Sequence, residues 1–190
     1  MNWYKRFIIS KKIQNKDSNF SWVRLDVPKK IKDVHSSVTK KIKETDLYYE
    51  DQGGDDWSYG LEDAPHITVK YGLEFDEPDE VLESLDGEKG GNVEIEDIEI
   101  FEQNDYDVLV ARCKSKALNK LHDKLTKDLE IEDDYPEYKP HITIAYFKKG
   151  RAKKYKSMAA KALTYYLLDF DFKEVVFEDR NDKETVIKLD

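Results

Sequence analysis

Residues 65–71 read Pro-His-Ile-Thr-Val-Lys-Tyr, and residues 140–146 read Pro-His-Ile-Thr-Ile-Ala-Tyr. Each copy is typical of a short β-strand, because Ile, Val and Thr favour strands and the proline stands at the start. Side chains alternate between the two faces of a strand, so each histidine shares a face with the threonine two residues on. The repeat therefore predicts two matching strands that each present an imidazole beside a hydroxyl. These side chains are His66 and Thr68, and His141 and Thr143.

Two imidazoles next to each other suit chemistry on a phosphodiester. Their unperturbed pKa values lie near ~6.5, so one ring can be neutral while the other is protonated. The neutral ring would take a proton from the attacking oxygen, and the protonated ring would give one to the departing oxygen. The threonine hydroxyls would donate to the non-bridging oxygens, where charge builds up. The pattern predicts catalysis by His66 and His141 without a metal or other cofactor, and leaves open which ring is the base.

A single His-x-Thr on a strand is more often a hydrogen-bonded core residue than a catalyst. Two copies in matching local context favour the catalytic interpretation. The other two histidines lack this context. His35 is expected on the surface of a helix, and His122 is expected to be structural or exposed.

Length and composition limit the classes of function. With 190 residues the chain is expected to form one bilobal domain over 1–190. Its net charge of −9 argues against a long nucleic acid as the partner but allows a small phosphorylated ligand. No apolar run reaches the ~20 residues of a membrane helix, and Lys11 and Lys12 interrupt the first apolar run too early for a signal peptide. Cys113 is the single cysteine, so no internal disulfide forms, and a cytoplasmic location is expected.

Hydrophobic periodicity predicts an α+β fold. Helices are expected over residues 29–46, 77–85, 115–129 and 152–168. Besides the two histidine strands, strands are expected over residues 4–9, 20–27, 93–101, 106–113, 171–178 and 185–189. The order of elements indicates an internal duplication. It predicts two pseudo-symmetric lobes, each an antiparallel sheet backed by helices, which face each other across a central cleft.

Candidate substrate-binding residues flank the two histidine strands. The aromatic, acidic segment 47–63 is expected to be a loop whose Trp57 and Tyr59 either stack on a nucleobase or pack onto the core. Lys70 shares a face with His66 by strand alternation and is the better candidate for a phosphate contact. Tyr146 is expected to pack in the core, because a strand twist or a bulge would be needed to direct it to the cleft. Lys148 could lie beyond the strand end.

The duplicated motif resembles that of the 2H phosphoesterase superfamily, which is named for two His-x-Thr/Ser motifs, and the order of elements is similar over nearly the full chain. The resemblance implies metal-independent phosphodiester cleavage, with His66 and His141 as acid and base and Thr68 and Thr143 as phosphate ligands. Family members include RNA 2′,3′-cyclic phosphodiesterases, 2′-5′-oligoadenylate-degrading enzymes and phage anti-CBASS enzymes that destroy cyclic oligonucleotide signals.

Within that family the chain looks most like the phage anti-CBASS group. RNA-end enzymes often carry an arginine after the second motif, where this chain has Ala145 to Lys149. The resemblance implies a small cyclic di- or trinucleotide cleaved at a 3′-5′ linkage, in the host cytoplasm if the enzyme is phage-encoded. The alternatives are an RNA 2′,3′-cyclic phosphodiesterase or 2′-5′ RNA-processing enzyme, a protein that binds cyclic nucleotides without cutting them, and a structural protein. The sequence does not determine the oligomeric state.

Overall fold

A computed structural model describes residues 20–53, 56–131, 137–163 and 168–190, without the side chains of residues 51–58. The strand expected over residues 4–9 lies outside this part of the chain. The described elements are β1 Ser21–Asp26, α1 Lys29–Thr39, a 3₁₀ turn Glu44–Asp46, β2 Tyr49–Gly53, β3 Asp56–Tyr59, β4 His66–Leu73, α2 Asp79–Leu85, β5 Gly91–Glu102, β6 Tyr106–Lys114, α3 Lys116–Asp128, β7 His141–Lys148, α4 Lys153–Leu163, β8 Asp169–Phe172, β9 Glu174–Glu178 and β10 Glu184–Lys188.

Two four-stranded antiparallel sheets form the framework. Sheet A has the order β10-β9-β1-β4, and sheet B has the order β7-β6-β5-β8. The helices pack in two pairs, α1 on α4 and α2 on α3. Buried hydrophobic side chains from both sheets and the helices form one connected core. The α+β prediction of two antiparallel sheets backed by helices is confirmed.

The two halves of the chain exchange strands. β5 and β6, which follow the first histidine strand, belong to the sheet of the second, and β9 and β10 return to the sheet of the first. The prediction of one strand over residues 171–178 is wrong, because the chain bends at Lys173 and divides that segment between β8 in sheet B and β9 in sheet A. Each sheet is therefore completed by strands from the other half of the chain.

The helices form where their apolar residues recur at helical spacing. In α3, Leu118, Leu121 and Leu125 are fully buried, and the Ser115 hydroxyl accepts from the Leu118 backbone N–H to cap the first turn. The helix predicted over residues 29–46 ends at Thr39 and is followed by the 3₁₀ turn. His35 lies one turn beyond Ile31 on the buried side of α1 and is 3 % exposed, so its expected surface position is wrong.

Both histidine strands contain a β-bulge at the same place in the motif. In β4 the register against β1 moves from Thr68 directly to Lys70, and in β7 the register against β6 moves from Thr143 to Ala145. Val69 and Ile144 are therefore extra residues, and the alternation of faces reverses after each of them. This reversal decides which later side chains lie on the same face as the histidines.

Candidate active site

The histidines begin two edge strands that contact each other. β4 is the last strand of sheet A and β7 the last of sheet B, and these two strands are in contact. His66 and His141 are the first residues of β4 and β7, and both rings are partly exposed. Loss of hydration is the main cause that lowers the pKa of His66, and the positive charge of His141 is a smaller cause. The fold brings the duplicated motifs together.

Both imidazoles are held in the same orientation and tautomer. Nδ1 of His66 lies 2.8 Å from the Ala64 carbonyl oxygen, and Nδ1 of His141 lies 2.7 Å from the Lys139 carbonyl oxygen. A carbonyl oxygen accepts hydrogen bonds and cannot donate them, so Nδ1 carries the proton in both rings. Nε2 is then the nitrogen left to exchange protons with a ligand. Neutral Nε2 is a base, and protonated Nε2 is an acid.

Aromatic neighbours shield the two rings. The Trp22 ring meets His66 edge-on at a centroid distance of 4.7 Å, and the Phe101 ring meets His141 edge-on at 5.0 Å. Loss of hydration disfavours the charged imidazolium. It lowers the pKa of His66 to about 4, and the charge of Arg24 contributes to the decrease. Loss of hydration and the charge of Arg112 also lower the pKa of His141.

The threonines share the face of their histidines and are partly exposed. Thr68 and Thr143 precede the bulges, so the alternation expected between each histidine and its threonine is preserved. The Tyr138 hydroxyl donates to the Thr68 carbonyl oxygen at 2.8 Å, and this tyrosine lies on the segment that leads to the second motif. Nε2 of His35 lies 3.0 Å from the Thr143 carbonyl oxygen. These bonds fix the backbone of both motifs.

Four tyrosines form a cluster beside the second motif. Tyr146 follows the bulge in β7 and therefore lies on the same face of the strand as Thr143. Tyr59 lies 4.8 Å from Tyr146 and 5.1 Å from Tyr106 between ring centroids, and Tyr48 stacks on Tyr106 at 4.9 Å. The tyrosine cluster consists of Tyr48, Tyr59, Tyr106 and Tyr146. It extends the histidine face of sheet B with aromatic surface.

The aromatic segment before His66 is a hairpin, not the expected loop. β2 and β3 pair with each other, and the flanking residues bond the free edge of β7 through Tyr48 N–H to Tyr146 C=O and Tyr146 N–H to Gly60 C=O. Tyr59 has a φ of 73°, a left-handed conformation that costs a bulky residue ~1–3 kcal/mol. Gly60, with a φ of 86°, completes this turn. The anchored turn holds Tyr59 in the tyrosine cluster.

Both predicted substrate-binding lysines, Lys70 and Lys148, are directed away from the histidines. Lys70 is 2 % exposed, and its Nζ donates to the Thr126 hydroxyl at 3.0 Å and to the Ile131 carbonyl at 3.3 Å. The predicted phosphate contact is wrong because the bulge at Val69 turns Lys70 toward helix α3. Lys148 ends β7, roughly 23 Å along the strand from His141, and its Nζ donates to the Thr45 carbonyl. The side chain of Trp57 lies outside the described part of the structure.

Several residues around the histidines had no signal in the sequence. Trp22 and Phe101 contact the two rings but stand in strands of alternating hydrophobicity, where an aromatic residue cannot be distinguished from a core residue. The same holds for Tyr106 of the tyrosine cluster, at the far end of β6 from Arg112. Arg24 and Arg112 reach the site through cross-strand pairing with Thr68 and His141, which depends on the register. His122, expected to be structural or exposed, is buried, and its Nδ1 lies 2.7 Å from the Val69 carbonyl oxygen at the bulge.

Within the described residues, no group of three or more His, Cys, Asp or Glu side chains is arranged to hold a metal ion. In the same part of the chain, no helix is long and apolar enough to span a membrane.

Comparisons with known proteins identify a family and a shared fold. A family model described as the 2′-5′ RNA ligase superfamily matches residues 63–184, which include both histidine motifs. A search of curated proteins gives no sequence match.

Solved structures with similar folds cover about nine-tenths of the chain at low sequence identity. Usb1 of Kluyveromyces marxianus has a TM-score of 0.54 at 12% identity, covering 90% of this chain and 99% of its own. TT0787 of Thermus thermophilus has a TM-score of 0.57 at 13% identity, covering 89% and 95%. LigT of E. coli, solved with NADP+, has a TM-score of 0.55 at 15% identity, covering 90% and 94%. These similarities show a shared fold.

Proposed function

The chain belongs to the 2′-5′ RNA ligase superfamily, and from this premise we propose that it is a phosphodiesterase whose acid and base are His66 and His141. The observation that carries the proposal is the matched pair of imidazoles. Each has Nδ1 bound to a backbone carbonyl and Nε2 left to exchange a proton. A pair of this kind can serve both oxygens of a single phosphoryl transfer.

The proposed mechanism assigns one proton transfer to each ring. One Nε2 takes the proton of the attacking hydroxyl, which in a 3′-5′ linkage is the ribose 2′-hydroxyl, and the bond from that oxygen to phosphorus forms. The other Nε2 donates its proton to the leaving 5′-oxygen as the old bond breaks. The product is a 2′,3′-cyclic phosphate, which water opens by the same two transfers in reverse roles. Thr68 and Thr143 donate to the non-bridging oxygens.

A small nucleotide is the proposed substrate class, and a cyclic di- or trinucleotide is the first candidate. The tyrosine cluster begins at Tyr146, which lies on the same face of β7 as Thr143, and stacking a base on an aromatic surface contributes ~1–3 kcal/mol. The backbone strain at Tyr59 supports a binding role, because strained residues concentrate at ligand sites. Among proteins of similar fold, Usb1 has been solved with uridine monophosphate and LigT with NADP+.

An RNA end is the second candidate, and the distribution of charge favours it. Residues 29–43 carry six lysines and one aspartate, and residues 151–163 carry one arginine and four lysines without an acidic residue. Helices α1 and α4 from these segments pack together and border an open groove of about 810 Å³. Its polar lining consists of Lys41, Lys154, Lys161, Ser37, Ser157 and one acidic residue, Asp33, and Lys154 pairs with Asp46 at 2.5 Å. Although the whole chain is acidic, this basic groove could hold the backbone of a longer strand.

A substrate panel in EDTA tests the activity. Cyclic di- and trinucleotides, a 2′-5′-linked dinucleotide and RNA ending in a 2′,3′-cyclic phosphate would be incubated with the protein, and the products separated by chromatography. We expect cleavage of at least one substrate, and a loss of ~10²–10⁴-fold in rate for His66→Ala and for His141→Ala. Near-UV circular dichroism of both variants controls for folding. An intact panel, or full activity of either folded variant, would refute the proposal.

Salt dependence separates the two substrate classes. If RNA is the substrate, KM should rise steeply with salt, and Lys41→Glu with Lys161→Glu should raise KM for a long RNA while leaving a dinucleotide unaffected. Lys89→Glu, at an exposed loop lysine away from the groove, is the matched charge control. If a small cyclic nucleotide is the substrate, the groove variants should match Lys89→Glu on every substrate.

A further inference from the structure

Arg112 lies directly beside one of the two catalytic candidates. In the register of β6 against β7 it is the partner of His141, and opposed residues of an antiparallel pair project from the same face. Its neighbours Ala111 and Cys113 belong to the hydrophobic core, which places Arg112 on the opposite, histidine face of sheet B. The guanidinium is therefore part of the surroundings of the His141 ring.

Sheet A contains a similar arginine with very different partners. Arg24 is the cross-strand partner of Thr68, and its guanidinium is bound by three carboxylates. These are Glu178, Asp26 at 2.8 Å and Glu184 at 2.6 Å. The charge of Arg24 is thus compensated inside the protein, and its donors already have acceptors.

The charge of Arg112 is much less compensated than that of Arg24. Its single described ion pair runs from a terminal guanidinium nitrogen to Glu99 Oε2 at 3.2 Å, and the Glu99 side chain is 41% exposed. Asp97 is the cross-strand partner of Arg112 on β5 but is exposed and forms no ion pair with it. Nε of Arg112 is buried and has no hydrogen-bond acceptor among the described residues. A buried donor without an acceptor costs ~1–3 kcal/mol, so a shift of the guanidinium that brings Nε to an acceptor of the ligand would remove a penalty.

We propose that Arg112 is a phosphate-binding residue of this site, and that the substrate phosphate displaces Glu99 from its guanidinium beside His141. The proposal rests on the proposed function and deepens it, because it assigns the phosphate to the sheet B side of the histidine pair. A guanidinium binds phosphate oxygens through parallel hydrogen bonds, a geometry that a lysine ammonium cannot reproduce. In the free protein Glu99 occupies that position as an internal competitor for the phosphate.

Titration calorimetry with inorganic phosphate and with uridine monophosphate tests the assignment without requiring catalysis. We expect Arg112→Gln to weaken binding by about 10- to 100-fold, the range for a charge-assisted hydrogen bond, and Arg112→Lys to recover part of the loss. Glu99→Gln should tighten binding several-fold, because the competitor loses its charge. Lys114→Gln is the matched control, since Lys114 pairs with Glu96 at 3.4 Å across the same two strands.

The competing explanation is a purely structural Arg112–Glu99 pair. In that case Glu99→Gln would weaken phosphate binding as Arg112→Gln does, or neither variant would change it, and the proposal would be overturned. Absence of phosphate binding by the wild type would also overturn it. If Arg112→Gln fails to fold, the comparison of Glu99→Gln with Lys114→Gln decides. A protein that binds phosphate through Arg112 but cleaves no substrate would refute the proposed activity alone.

Discussion

At the scale of the residue, the proline before each histidine has a structural role. Pro65 and Pro140 lack an N–H and have a fixed φ, and each holds the preceding residue in an extended conformation. The carbonyls of those preceding residues, Ala64 and Lys139, accept the Nδ1 protons of the two rings. The motif Pro-His-x-Thr therefore encodes the tautomer of its histidine as well as its position.

The lowered pKa values predict an acidic optimum for the free enzyme. Because burial lowers the pKa of His66 to about 4 and also lowers that of His141, one protonated and one neutral ring coexist below the ordinary histidine range. We expect a bell-shaped kcat/KM profile with its maximum below ~6.5, the unperturbed histidine value. The profile of kcat should lie at higher pH, since a bound phosphate anion favours the imidazolium.

Rate measurements from pH 4 to 9 on the best substrate of the panel would check this pair of profiles. A kcat/KM that is constant over the range would exclude two-histidine catalysis. Coinciding maxima of kcat and kcat/KM would show that the bound phosphate does not raise either pKa. Arg112→Gln provides an internal comparison, because removal of the adjacent positive charge should move the His141 limb to higher pH.

At the scale of the element, the two bulges and the two helix histidines form a matched arrangement. Nδ1 of His122 on α3 hydrogen-bonds the Val69 carbonyl oxygen of β4, and Nε2 of His35 on α1 hydrogen-bonds the Thr143 carbonyl oxygen of β7. His122 also stacks on Tyr138 at a centroid distance of 4.0 Å. Each helix therefore supports the histidine strand that its own half of the chain does not supply. These contacts hold the strands at the positions where their ladders are interrupted.

Substitutions of His122 and His35 should distinguish the effect of losing the hydrogen-bond donor from the effect of losing side-chain volume. His122→Ala leaves the Val69 carbonyl without its donor and should cost ~1–3 kcal/mol of unfolding free energy. It should also lower kcat, since small displacements of a catalytic group cost up to ~10²-fold. His122→Asn should retain more of the unfolding free energy and of kcat, because an asparagine amide reaches the position of Nδ1. His35→Gln should do the same at the other site, because a glutamine amide reaches the position of Nε2. Urea denaturation and rate assays provide the measurements.

Equal stability of His122→Ala and His122→Asn would contradict the assigned hydrogen bond. His122→Gln is the matched control, because its longer side chain places the amide away from the Nδ1 position.

Much of this arrangement was predictable from the sequence, within physical limits. The strand and helix patterns around His66, Thr68, His141 and Thr143 depend on local periodicity, and the α+β fold followed from them. Lys70 was assigned to the wrong face because a bulge at Val69 leaves no trace in the composition of the strand. The position of Arg112 beside His141 depends on the register between β6 and β7, which local periodicity does not contain.

At the scale of the whole molecule, the basic groove and the histidine pair impose different requirements on a substrate. The groove lies between helices α1 and α4, whereas the histidines lie on the faces of the sheets directed away from the core. A cyclic di- or trinucleotide would contact the histidine face alone. A longer strand that reached both regions would make more phosphate contacts, so a steeper response to salt would indicate such a substrate.

The exchange of β5–β6 and β9–β10 between the two sheets has a mechanical consequence. Loss of either strand pair would leave its sheet with only two strands. Loss of β5–β6 would affect sheet B, and loss of β9–β10 would affect sheet A. Within the described residues neither half therefore forms a complete sheet alone, and the placement of the two imidazoles depends on strands from both halves.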